Sequence, residues 1–228
     1  MMEMNSLKNK RPRPVVLALI AAIAVNLYMA VKVGLGILNK HHKRKEDFFS
    51  AFEIQPNDVV FLGDSLTEGG NWVEMFPAIS VKNRGINGDT IHGVLARLEV
   101  ILRGEPKAIF LLIGTNDLFL LGHLSDSQII SGYTRILEKI KVESPDTKVY
   151  VQSLLPRQRL FARRILGLNN EIQKIAGQFE YVYIDLFPNF ATQENTMRPE
   201  YTNDDLHLLA EGYQRWCEIL RPYVDTLK

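Results

Sequence analysis

The chain has 228 residues, 46% hydrophobic and 23% charged, enough for one domain with a sizeable core plus a modest extension and too few for a second catalytic domain. With 27 Lys and Arg against 26 Asp and Glu, the net charge is +1, which offers nothing overall to a nucleic acid or another polyanion. The single cysteine, Cys217, excludes an intrachain disulfide framework and a cysteine-based zinc site.

Residues 1–13 read as a basic tail carrying Lys8, Lys10, Arg11 and Arg13. An apolar run, VVLALIAAIAVNLYMAV, follows over 15–31, interrupted only by Asn26, and the apolar character resumes past Lys32 as VGLGIL. A membrane-crossing helix needs about 20 mostly apolar residues and tolerates a lysine near its end, so 14–38 reads as a transmembrane signal anchor. The bland alternative is a cleaved signal peptide, since Ala22-Ile23-Ala24 fits the small-residue cleavage pattern. Cleavage there would leave the apolar tail VNLYMAVKVGLGIL on the mature chain, and length and flanks favour the anchor. Residues 39–50 read as a basic linker in which His41 and His42 sit among Lys40, Lys43, Arg44 and Lys45, solvated and not metal-binding. The basic clusters on the two sides of the span are nearly equal. The expected location is the membrane, with a single-pass anchor and the folded domain, 51–228, on the extracytoplasmic side.

Beyond the linker, short runs rich in Val and Ile alternate with longer stretches of helical periodicity. Strands are expected at 58–62, 79–83, 108–113, 148–152 and 181–184, and helices at 90–103, 127–142, 162–178 and 209–223. This alternation specifies the α/β class, a three-layer α/β/α sandwich around a five-stranded parallel sheet. Ligands of such sheets bind outside the carboxyl ends of the strands. Three expected strands end there in compact polar motifs: Gly63-Asp64-Ser65, Asn87-Gly88-Asp89 and Gly114-Thr115-Asn116-Asp117.

A serine hydroxyl is a weak nucleophile until a histidine takes its proton, and that histidine needs a carboxylate to orient it. Among five histidines, His207 stands out because Asp204 lies three residues before it, within reach across a tight turn. Acyl transfer also needs donors aimed at the developing oxyanion. The backbone N–H groups of Ser65 and Gly88 and the side-chain amide of Asn116 fit that need. Each motif alone has a plain reading as turn or capping chemistry. The segment Gly63-Asp64-Ser65-Leu66-Thr67 is not a G-x-S-x-G elbow, because Thr67 stands in the last position.

In their order, these blocks resemble the SGNH or GDSL-type serine hydrolases, over about 58–213. Phe61-Leu62-Gly63-Asp64-Ser65-Leu66-Thr67 is similar to the block that names the family, and the resemblance makes Ser65 the nucleophile. Asn83-Arg84-Gly85-Ile86-Asn87-Gly88-Asp89-Thr90 is similar to the second block, whose oxyanion glycine precedes Asp-Thr and therefore maps to Gly88, not Gly85. Gly114-Thr115-Asn116-Asp117 matches the third, giving Asn116 as oxyanion donor, and Asp204-Asp205-Leu206-His207-Leu208 matches the last, giving Asp204 and His207. By the family pattern Asp204, not Asp205, orients the histidine, and Asp205 faces solvent. Glu211-Gly212-Tyr213 also resembles the helix after that histidine. The spacings resemble the platelet-activating-factor acetylhydrolase-like and bacterial carbohydrate-esterase branches.

The resemblance implies a flavodoxin-like sandwich and a serine esterase acting on small acyl or acetyl esters of a carbohydrate or lipid, with no metal or organic cofactor and no nucleic-acid partner. Two alternatives stay open: a lysophospholipase or thioesterase on longer chains, and a noncatalytic tethered protein holding a glycan or lipid in the same crevice. Leu118-Phe119-Leu120-Leu121 is read as core packing before acyl-pocket lining. Arg157, Arg159, Arg163 and Arg164 are read as a solvated charged face. His92 and His123 are read as surface or helix positions and Cys217 as a small buried side chain.

Overall fold

The computed structural model describes residues 14–118 and 124–228. The basic tail, and the stretch 119–123 with its apolar residues and His123, lie outside the described residues. The chain divides into two compact units, one ending at His41 and the other running His42–Lys228.

Helix α1 (Pro14–Ala51) is long and apolar enough in its first part to cross a membrane, and none of that apolar window is buried. Signal sequences meet the same criterion of length and composition. The segment 39–50 departs from its reading as a linker, for it continues the helix, and from His42 onward it belongs to the second unit. Tertiary packing explains the difference. Phe49 is 5% exposed, with the Arg84 and Arg97 guanidinium carbons 4.6 Å and 5.8 Å from its ring centroid. Arg84 also donates to the Phe52 carbonyl at 2.6 Å. A run that looks basic and solvated carries one buried aromatic anchor, Phe49.

The second unit is a parallel sheet of β1 (Val59–Gly63), β2 (Val81–Gly85), β3 (Ala108–Leu112), β4 (Lys148–Gln152) and β5 (Val182–Ile184), in the order β2-β1-β3-β4-β5. The four long helices are α4 (Ile91–Leu102), α5 (Asp126–Glu143), α6 (Arg159–Gln178) and α8 (Ala210–Asp225); α2 (Ser65–Glu68), α3 (Trp72–Met75) and α7 (Phe187–Phe190) are single turns. Every residue of β1 and β3 is buried, as central parallel strands covered on both faces must be. Side chains alternate between two cores. Val60 and Leu62 join the core that holds residues of α4, α5 and α6. Val59 and Phe61 join the one built on Trp72, Phe110 and Trp216. There Phe61 stacks on Trp72 at 4.2 Å and Phe110 on Tyr150 at 4.4 Å.

The strand order reverses direction between β1 and β3, so their carboxyl ends open the crevice where a ligand can enter. The loops after β1 and β3 begin at Asp64 and Ile113.

Candidate active site

Ser65 is the first residue of α2, directly after β1. Four residues make too short a helix to hold itself, so side chains fasten it. The Asp64 carboxylate accepts from the Leu66 N–H at 3.0 Å and caps the turn. Asn83 donates to the carbonyls of Thr67, Glu68 and Gly70 at 3.0–3.1 Å, and the Tyr213 hydroxyl donates to the Leu66 carbonyl at 3.0 Å. Gly85 has its own role here: a Cβ at that position would collide with the backbone of Thr67 and Glu68. The glycine lets β2 approach α2 closely.

The Ser65 Oγ lies 3.1 Å from His207 Nε2, and His207 Nδ1 lies 2.7 Å from Asp204 Oδ2. The second oxygen, Asp204 Oδ1, accepts from the backbone N–H groups of His207 at 2.7 Å and Leu206 at 3.0 Å and from the Thr202 hydroxyl at 3.2 Å. Partial burial of Asp204 works against its charge, yet the hydrogen bonds from His207 and Leu206 prevail and hold its carboxyl down at about 2. Asp205 is exposed and takes a left-handed backbone, φ 61°, so the chain turns sharply between Asp204 and His207. That turn lets one short segment offer both a carboxylate and an imidazole. A bridge between Thr202 and Leu208 and the Leu209 N–H bonded to the Tyr201 carbonyl at 2.8 Å close its base.

Gly88 sits after β2 in a turn closed by the Asp89 N–H on the Ile86 carbonyl at 3.0 Å, with φ 74°, a conformation that favours glycine. Asn116 follows β3 and donates one amide hydrogen to the Asp89 carbonyl at 2.8 Å, leaving its second hydrogen available. The loops after β1, β2 and β3 are thus tied to one another: Arg97 pairs with Asp89 at 2.8 Å and donates to the Gly63 carbonyl at 3.0 Å.

Beneath the site lie three buried carboxylates, Asp64, Asp89 and Asp117, each no more than 1% exposed. Burial drives Asp64 up to about 7, with the charges of Asp89 and Asp117 adding to it, and its Oδ2 has no hydrogen-bond partner among the described residues. Burial also raises Asp117, to about 6, although its carboxylate accepts from the Ile91 N–H.

Two arginines read from the sequence as part of a solvated face are placed otherwise. Arg157 is 8% exposed and donates to the Thr115 carbonyl at 3.1 Å, bracing the residue before Asn116. Arg164 pairs with Asp126 at 2.7 Å and donates to the carbonyls of Leu118 and Leu124, the residues flanking 119–123. Their signal in the sequence is position: Arg157 falls just past a strand end, where loops carry site residues. His92 is exposed and Cys217 is 6% exposed, as expected of a surface position and a small core side chain.

The model of the GDSL-like Lipase/Acylhydrolase family matches residues 61–215. Subunit alpha1 of platelet-activating factor acetylhydrolase IB from Bos taurus is 30% identical over 200 residues, 80% of either chain. A solved structure from Streptococcus pneumonia, provisionally described as a platelet activating factor, superposes with a TM-score of 0.78 at 27% identity, covering 86% of this chain and 99% of the other. A GDSL-like lipase from Bacteroides thetaiotaomicron shares the fold, with a TM-score of 0.72 at 24% identity over 82% of this chain and 98% of its own. A match over more than half its length, joined to the sheet order and the agreement with these relatives, makes this chain a member of the GDSL-like lipase/acylhydrolase family and a hydrolase of ester bonds.

Proposed function

We propose that the chain hydrolyses small acyl esters, acetyl esters foremost, with Ser65, His207 and Asp204 as a catalytic triad. The observation that carries this reading is the continuous line from Ser65 Oγ through both ring nitrogens of His207 to a carboxylate held ionised. In this reading His207 Nε2 takes the Ser65 proton as Oγ attacks the ester carbonyl, and Asp204 fixes the tautomer and stabilises the imidazolium. The tetrahedral oxyanion is received by the Ser65 N–H, the Gly88 N–H and the free amide hydrogen of Asn116. Among the described residues neither backbone N–H is taken up by a protein acceptor. His207 then protonates the leaving alcohol, and water repeats the sequence to release the acid. The preference for acetyl rests on the acetylhydrolase named among the relatives.

The test is a rate series on p-nitrophenyl esters from acetyl to lauroyl, with Ser65→Ala beside the wild type. The expected result is a sharp maximum at acetyl and loss of turnover in the variant. A maximum at the long chains contradicts the small-acyl assignment, and undiminished turnover by Ser65→Ala contradicts the triad.

A further inference from the structure

The peptide group joining Asn87 to Gly88 is held from behind by the end of helix α1. His42 Nε2 lies 2.9 Å from the Asn87 carbonyl oxygen; because that oxygen only accepts, the imidazole donates from Nε2. The Asn87 N–H donates to Glu68 Oε2, and Lys45, one turn beyond His42 on the same helix, pairs with Glu68 at 2.8 Å. Two residues of α1 therefore meet both backbone polar groups of Asn87, His42 directly and Lys45 through Glu68. Phe49, packed against Arg84 and Arg97, fixes the helix end that carries them.

The location matters because a trans peptide is one rigid dipole, its carbonyl and N–H pointing to opposite sides. No described peptide is cis. A donor on the Asn87 carbonyl therefore sets the orientation of the Gly88 N–H. It also polarises that N–H, since hydrogen bonds in series strengthen one another. The peptide joining Gly88 to Asp89 is secured separately, by its Asp89 N–H on the Ile86 carbonyl, and Asp89 is held further by the Asn116 amide on its carbonyl and by Arg97 on its carboxylate. We infer that His42 is a positioning residue for the reaction, aligning the Gly88 N–H toward the oxyanion, with Lys45 and Glu68 completing the clamp. The inference rests on Gly88 being an oxyanion donor. His42 and Lys45 lie outside the matched family segment 61–215.

The hydrogen bond is partly exposed, and losing it corresponds to about a 3- to 10-fold change in rate. An aligned donor acts on the transition state more than on bound substrate, so the loss falls on kcat and leaves KM within about two-fold. The test uses the full chain in detergent with p-nitrophenyl acetate, comparing His42→Leu, His42→Gln and Asn116→Ala. The expected result is that His42→Leu lowers kcat about 3- to 10-fold, that His42→Gln, whose amide can donate from a similar place, restores most of it, and that Asn116→Ala loses about 100-fold or more. Wild-type kcat in His42→Leu alongside a crippled Asn116→Ala overturns the clamp and leaves the oxyanion reading intact. Equal loss in both His42 variants, shared between KM and kcat, overturns the clamp in favour of a packing role. Full activity in Asn116→Ala overturns the oxyanion reading on which the clamp depends.

Discussion

Asp64 shows how one residue serves the site at a cost to the fold. Its Oδ1 caps the turn that presents Ser65, while its Oδ2 is buried without a hydrogen-bond partner among the described residues. A carboxyl whose folded value is raised from 3.8 to about 7 binds its proton more tightly in the native state than in the unfolded chain. Its contribution to stability is therefore complete below about pH 3.8 and lost as the pH rises through about 7. Asp204 runs the other way, since a value lowered to about 2 stabilises the fold above 3.8 and fails only as the pH falls through about 2. Asp64→Asn keeps an acceptor for the Leu66 N–H and removes the titration. Thermal melts at pH 5 and pH 8 are expected to show a smaller loss of Tm on raising the pH in Asp64→Asn than in the wild type; equal losses would show that Asp64 does not titrate in this range. At this scale the meeting of Ser65, His207 and Asp204 was legible in residue type and order. The burial of Asp64 and Arg157 was not legible, because it depends on strands and loops distant in the chain.

Among the elements, the four long helices and all five strands follow from periodicity, and β4 runs over 148–152 as read. β2 begins two residues later than the pattern suggests, at Val81. The Ser80 hydroxyl donates to Asp58 at 2.6 Å and its carbonyl accepts from the Val59 N–H at 2.8 Å, so the strand entry is set by a side chain from another segment. The single-turn helices α2, α3 and α7 have no periodicity to read and exist through tertiary fastening. Helix α8, which follows His207, is tied to the sheet by the Trp216 indole N–H on Gln152 Oε1, both buried, at 2.7 Å. Trp216→Phe keeps a ring in the core but strands that acceptor, at a cost of about 1–3 kcal/mol. Urea unfolding is expected to show this as a lower midpoint, and an unshifted midpoint would mean that the indole N–H holds nothing.

At the scale of the molecule, an ester-hydrolase fold carries a long amino-terminal helix whose apolar part is exposed and whose last turns are packed into the catalytic unit. The apolar length was legible in the sequence. The docking of 42–51 was not, because a basic run reads as linker until Phe49 is seen against Arg84 and Arg97. We propose that the helix anchors the enzyme in a membrane, so that activity sediments with membranes and requires detergent for release. The central claim is that Ser65, activated by His207 and Asp204, is the nucleophile. It is tested most directly by treating the full chain with a fluorophosphonate and mapping the modified peptide by mass spectrometry. The account requires a single phosphonyl adduct on Ser65, absent from Ser65→Ala and strongly reduced in His207→Ala. An adduct on another residue, or labelling that persists in Ser65→Ala, would contradict it.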